Sequence, residues 1–257
     1  MTEPRVWIEA LTFSDGTTID CGPGDVVVVV GPNNSGKSVA LRSIRAKAEN
    51  PSEPSPVVAD VRLARSGTAA ELAEWVARVA VRNPGNPDNP SFSTLGATVH
   101  KSHLGPHWDG SRGLGPLTRF FINLLNASDR LAAANPAPQI RLVQDPPAHP
   151  LHYLQRDDRL EEEISSQFHA AFGEDLVLNR NAGSEVPLLV GDKPSLSEGQ
   201  DRVSYGYLEK LALLPAIHQQ GDGMRSFTGV LLHTSFGPES VILIDEPEAF
   251  LHPPQAW

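Results

Sequence analysis

A single cysteine, Cys21, stands among 257 residues, so no disulfide can form within the chain. The simple expectation is a reducing, cytoplasmic setting. Its first residues do not read as a secretory leader, so none is expected, and no apolar run in the sequence reaches membrane-spanning length. Basic residues are in deficit, 21 Lys and Arg against 31 Asp and Glu, giving a formal net charge of −10. That balance argues against a surface built mainly to grip nucleic acid, and leaves room only for a local basic patch. There are no internal repeats. One cysteine excludes a scaffold stapled by internal disulfides, and no stretch of the sequence has the length and apolarity of a membrane-spanning helix. What remains is 40% apolar and 20% charged, ordinary for a globular chain long enough to bury a core.

The first segment predicts strand, turn, strand, turn, strand. Val6, Ile8, Ala10 and Thr12 alternate with polar positions, Asp15-Gly16 signals a hairpin, and Gly22-Pro23-Gly24 a second turn. Val26 to Val30 are apolar on both faces, which predicts a strand buried within a parallel sheet. Helical spacing follows from Ser38 to about Lys47, with Val39, Leu41 and Ile44 inward. Further along, "VVADVRL" reads as a strand, and "TAAELAEWVARVAVR" as a helix with Leu72, Trp75, Val76 and Val79 on one stripe. Residues 83 to 116 have little periodicity and predict a long loop or insertion. Leu117, Phe120, Phe121, Leu124 and Leu131 fit a helix, and "QIRLVQ" a short strand. Leu160, Ile164, Phe168 and Phe172 predict a helix stopped by Gly173. Strands are expected at 176–178 and 186–190, and a helix at about 203–218.

Two motifs carry chemistry. Gly31-Pro32-Asn33-Asn34-Ser35-Gly36-Lys37-Ser38 fits the phosphate-loop pattern G-x-x-x-x-G-K-[ST] at every fixed position. Glycines let backbone N–H groups approach phosphate oxygens, and the helix opening at Ser38-Val39 presents its positive end to them. Lys37 would reach the β- and γ-phosphates of ATP, and the Ser38 hydroxyl would ligand Mg²⁺. An ordinary Gly-rich turn is the alternative. The second motif is "VILIDEPEAF", in which Val241 to Ile244 read as a buried strand delivering Asp245 and Glu246 at its C-terminal edge. An Asp there can hold Mg²⁺ through water, and the Glu after it can polarise an attacking water. Two solvated turn carboxylates are the alternative.

Together, "GPNNSGKS" and "ILIDEPEAFLHPPQ" resemble the P-loop ATPase head shared by ABC, SMC and RecF proteins. The wording "IDEPEAFLHP" is most similar to the OLD family, the ATP-dependent endonuclease-like group whose members often act in phage defence or DNA repair. The resemblance covers about residues 1–48 and 215–257 and is weak between. It implies one α/β head over residues 1–257: a mostly parallel sheet with an N-terminal antiparallel β segment, flanking helices, and a variable insertion at about 50–135. It implies Mg²⁺-dependent ATP hydrolysis, with Glu246 and Lys37 in catalysis. Such heads pair as homodimers around two ATP molecules, so a homodimer is expected, with DNA or a nuclease effector as a further partner and no membrane. Family heads carry one more strand, ending in a switch histidine. His252 lies too close to the acidic pair to be that residue, so the expectation is an N-terminal part of something longer, or a truncated product.

The resemblance also implies a signature motif that caps the partner's γ-phosphate. "LSEGQ", Leu196 to Gln200, is the better letter match, and "QGDGMR" the worse. The family places one helix between signature and acidic strand. Gly223 lies 22 residues before Asp245 with helical sequence between, whereas Gly199 lies 46 before it with Pro215 intervening. Gly221, Asp222, Gly223 and Met224 are therefore assigned as the signature, and "LSEGQ" as a helix N-cap. Gly221 replaces the usual serine, which implies weakened γ-phosphate sensing.

Fainter signals leave alternatives open. Gln144, after "QIRLV", is placed like the Q-loop glutamine that helps ligand Mg²⁺, or is a surface residue. Phe13 either stacks on adenine or belongs to the core. His100, His103 and His107 could suggest zinc, but exposed loop histidines fit better. The acidic run Asp157-Asp158 and Glu161 to Glu163 reads as a solvated helix face. Function divides three ways: an ATPase head, an ATP-gated dimerisation switch with little turnover, or an inactive fragment.

Overall fold

The computed structural model describes residues 3–83, 85–94, 97–110, 113–145, 147–235 and 239–250. In chain order the elements are β1 (Arg5–Phe13), β2 (Thr18–Asp20), α1 (Lys37–Glu49), β3 (Val58–Ser66), α2 (Ala69–Val79), β4 (Val81–Arg82), β5 (Ser91–Thr94) and β6 (Ala97–His100). Then come α3 (Lys101–Trp108), α4 (Thr118–Phe121), β7 (Ile122–Leu125), α5 (Ala127–Ala133), β8 (Ala137–Pro138), α6 (Leu151–Arg156), α7 (Asp158–Phe172) and β9 (Leu176–Leu178). The last are β10 (Glu185–Val186), β11 (Leu188–Val190), α8 (Tyr205–Leu211), α9 (Asp222–Ser235) and β12 (Val241–Ile244). The chain is mixed α/β and divides into two compact units: residues 1–125 with 238–245, and residues 126–237 with 246–257. Among the described residues no helix is long and apolar enough to cross a membrane.

In the first unit β1 pairs antiparallel with both β2 and β3. The predicted hairpin forms: Asp15 Oδ1 accepts the Thr17 N–H at 2.9 Å, and the Phe13 N–H donates to the Thr17 carbonyl. Helix α2 starts in a reciprocal capping box, Thr68 with Glu71, and buries Leu72, Trp75 and Val76. These meet Val6, Leu11, Ile44, Leu117, Phe120 and Phe121 in one core, where the Trp75 ring stacks on Phe121 at 5.0 Å. Helix α1 turns Ala40, Ile44 and Ala48 inward, while Val39 and Leu41 are only half-buried.

Three expectations for this unit are corrected. Residues 83 to 116 are not one long loop, because they contain β5, β6 and α3, with β5 pairing antiparallel to both β4, just before the segment, and β6. Their strands are too short to show a period, yet Phe92, Val99, Leu104 and Trp108 are buried in the core, and Arg65 donates to the carbonyls of His107, Trp108 and Gly110 at the end of α3. The helix expected from Leu117 is interrupted by β7, which pairs in parallel with β12, Ile122 opposite Val241 through Leu125 opposite Ile244. Ladder bonds to a distant strand outweigh local helical spacing there. The third correction is larger. Val26 to Val30 form no strand and are exposed, 88% at Val26 and 84% at Val30. A strand needs neighbours to take its N–H and C=O groups, and no described strand pairs with this run. The expected mostly parallel sheet is likewise not found: β7–β12 is the one parallel pair among the described strands.

In the second unit α7 runs as expected, with Ile164 and Phe168 buried and Gly173 closing it in a left-handed conformation, φ 76°. Strands β9 and β11 pair antiparallel, as do β8 and β10. Leu151, Leu154, Phe168, Val186 and Leu232 form the core. The "QIRLVQ" strand is absent. Asp145 instead pairs with Arg141 at 2.6 Å, closing a turn that leaves Val143 99% exposed. The helix expected at 203–218 is shorter, α8 beginning at Tyr205 after Ser204, so "LSEGQ" is a turn outside it and no N-cap. The acidic face of α7 is not wholly solvated. Glu161 is buried, its carboxylate paired with Arg180 at 2.6 Å and Arg202 at 2.9 Å and accepting the Leu178 N–H.

Candidate functional site

The loop from Gly31 to Gly36 leads directly into α1. Asn34 and Gly36 both take left-handed backbone, φ 64° and 92°, which curls the chain just ahead of the helix. Gly36 is the N-cap in that conformation, a position that disfavours any side chain bearing Cβ. The Ala40 N–H donates to the Gly36 carbonyl at 2.8 Å, closing the first helical turn. Within the curl the Ser35 N–H donates to the Pro32 carbonyl at 3.2 Å, and the helix behind it adds partial positive charge at its N-terminus. Lys37 reaches back over the loop, its ammonium donating to the carbonyls of Gly31 at 2.8 Å and Pro32 at 3.0 Å. Residues 31–35, including Pro32, Asn33 and Ser35, are exposed, and Lys37, Ser38 and Val39 are half-buried.

Strand β12 brings Asp245 to the same place. The ladder with β7 continues one step past Ile244, where the Asp245 N–H donates to the Leu125 carbonyl at 3.0 Å. The Asp245 side chain then meets α1, and the Ser38 hydroxyl donates to its Oδ1 at 2.7 Å. A hydroxyl and a carboxylate in contact beside a curled loop are hard oxygen donors of the kind Mg²⁺ takes, together with phosphate oxygens and water. Among the described residues no group of three or more His, Cys, Asp or Glu side chains could hold a metal.

Glu246 is exposed and takes left-handed backbone, φ 50°. Its carbonyl accepts from Arg130 Nη2 at 2.9 Å and from the Ala249 N–H at 2.9 Å. Arg130 is fully buried, and nothing in the local sequence singled it out; one arginine in an amphipathic pattern carries no signal of its partner 116 residues away. Asp222 opens α9, so the chosen signature does begin a helix. Gly221 is exposed, and Gly223 is pressed on the 246–250 turn: a Cβ there would sit 2.7 Å from the Phe250 carbonyl oxygen. Met224 packs against the core of its unit.

The fainter candidates resolve mostly towards the plainer alternative. Gln144 is exposed in the Arg141–Asp145 turn, and the strand expected to position it as a Mg²⁺ ligand is missing. Phe13 packs against the core of the first unit. His103 and His107 lie on α3 and not in a loop, with His100 at its N-cap and neighbouring rings 5.9 Å apart. Burial, then the charges of His103 and Arg65, push His107 below its usual pKa. His252 lies outside the described residues.

Compared with known proteins, the chain matches no family model, no curated protein and no solved structure at a significant level.

Proposed function

We propose that this chain is a P-loop ATPase head of the ABC and OLD type. The observation that carries the reading is the 2.7 Å bond between Ser38 and Asp245, which joins the two motifs across 207 positions of sequence. The phosphate loop would bind ATP through the 31–36 backbone and Lys37, whose present bonds to loop carbonyls must open to phosphate. Ser38 and Asp245 would hold Mg²⁺, which when bound neutralises charge on the phosphates. Glu246 would accept a proton from the attacking water. Gly221 to Met224 at the head of α9 would cap the γ-phosphate of a second copy, making the homodimer the working form.

Binding is the direct test. Titration calorimetry with ATP and Mg²⁺ should show saturable heat with the native chain and none with Lys37→Ala. Equal affinity in the two would overturn the site.

A further inference from the structure

Arg130 is a charged side chain with no exposed surface. Both ends of its guanidinium are engaged with parts of the second unit far apart in sequence. Nε donates to the Ser226 hydroxyl on α9 at 3.0 Å, and Nη2 to the Glu246 carbonyl at 2.9 Å. Its own backbone is clamped as well. Gly229, one turn beyond Ser226 on the same face of α9, lies so close to the Arg130 carbonyl that no Cβ could be accommodated. Helix α5 itself is anchored by a capping box, in which Asn126 accepts from the Asp129 N–H and Asp129 from the Asn126 N–H. The arginine is therefore fixed at its base by Gly229 and at its tip by Ser226 before it reaches Glu246.

Glu246 gives that grip a purpose. A non-glycine residue at φ 50° is disfavoured on its own and persists where the surroundings hold it. The groups that hold it are the Ala249 N–H and the Arg130 guanidinium, both on its carbonyl. A buried, charged donor on one carbonyl oxygen is a strong restraint. The same α9 that anchors the arginine begins at Asp222 and presses Gly223 on the Phe250 carbonyl, so the 246–250 turn meets α9 directly at Phe250 and through Arg130 of α5 at Glu246. A lysine could not replace this arrangement, because an ammonium is a single point of donation and the guanidinium spans two directions in a rigid plane.

We infer that Arg130 is the positioning residue of Glu246: it holds the left-handed turn that aims the Glu246 carboxylate and ties that turn to α9. The assignment rests on the reading of Glu246 as the group that activates water. In that reading α9 opens with the segment that meets the nucleotide of a second copy, so engagement at its N-terminus is passed through Ser226 and Arg130 to the carboxylate.

Steady-state ATP hydrolysis by the full chain, with hydrogen exchange of the Ala249 amide, tests it. Arg130→Lys should lower kcat about tenfold to a hundredfold, the scale of a misplaced reacting group, with KM for ATP nearly unchanged. Exchange at Ala249 should quicken. In the Glu246→Gln background Arg130→Lys should cause no further loss, because both act through one carboxylate. If Arg130→Lys does not fold, Ser226→Ala, which keeps the guanidinium and removes one anchor, should show smaller changes in the same direction. Unchanged kcat and unchanged Ala249 exchange in a folded variant would overturn the assignment. So would a fall in melting temperature alone, with kcat intact well below the melt. If the native chain shows no turnover, or Glu246→Gln leaves turnover unaltered, the hydrolysis reading fails separately. Ala249 exchange then decides whether Arg130 holds the turn.

Discussion

The Ser38 hydroxyl donates to Asp245 Oδ1 at 2.7 Å, and the residue that follows each of them points to a different part of the chain. Val39 continues into α1, whereas Glu246 enters a turn held by Arg130. The contact thus joins the start of one helix to the end of one strand.

Removing either oxygen should uncouple metal from nucleotide. Ser38→Ala and Asp245→Asn are each expected to weaken Mg²⁺-dependent ATP binding by about tenfold or more, while leaving metal-free binding closer to native. Calorimetry with and without EDTA measures both. An equal loss under the two conditions would place these residues in the loop's architecture and not in a cation site.

Glu246 carries a separate expectation. With Glu246→Gln the chain should still bind ATP, and turnover should fall by about a hundredfold or more. Light scattering should then show an ATP-dependent dimer that persists in the variant and decays in the native chain. A native chain that dimerises with ATP and never turns over would instead be a binding switch.

Three histidines make the second unit sensitive to acid. His152 accepts the Ala148 N–H at Nδ1 and reaches the Pro138 carbonyl from Nε2, an arrangement that requires the neutral ring. Burial, then the charges of His152 and His233, push His149 down to about 4. Burial likewise lowers His152 and His233, Asp129 opposing it at His233. Below pH 6.5 the unfolded chain gains a proton at position 149 that the folded chain refuses, so stability falls from pH 6.5 towards 4. At pH 5 the loss from His149 is roughly 2 kcal/mol. Urea midpoints at pH 7 and pH 5 should differ less in His149→Leu than in the native chain.

The buried carboxylate of Glu161 faces two arginines, Arg180 and Arg202, themselves largely covered. Glu161→Gln removes their buried partner, leaves both arginines only the exposed Asp158, at 2.7 and 3.1 Å, and should destabilise the second unit by roughly 3 kcal/mol. Chemical denaturation measures it. A change within about 0.5 kcal/mol would mean that the arginines re-pair elsewhere, as surface groups do.

Local signals were legible where the physics is local. The Asp15-Gly16 hairpin, the Gly173 stop and the loop ahead of α1 all depend on residues a few positions apart, and the sequence states them. Glu161 reads as solvated because its charge is visible in the sequence and its two arginine partners, at 180 and 202, are not. The segment at 117–131 shows the same limit. Its spacing suits a helix, and only the parallel partner at 241–244 turns part of it into β7.

For the site, the sequence determined the chemistry: which residues could curl round phosphate, and which carboxylates end a strand. Tertiary structure decided their company. Ser38 meets Asp245 because β7 and β12 pair, and Arg130 is committed to Glu246 because Gly229 lets α9 close on α5. Five valines, whose composition suits the centre of a sheet, stay exposed, and no described strand pairs with them. Composition sets the preference for burial; partners distant in sequence decide whether it is met.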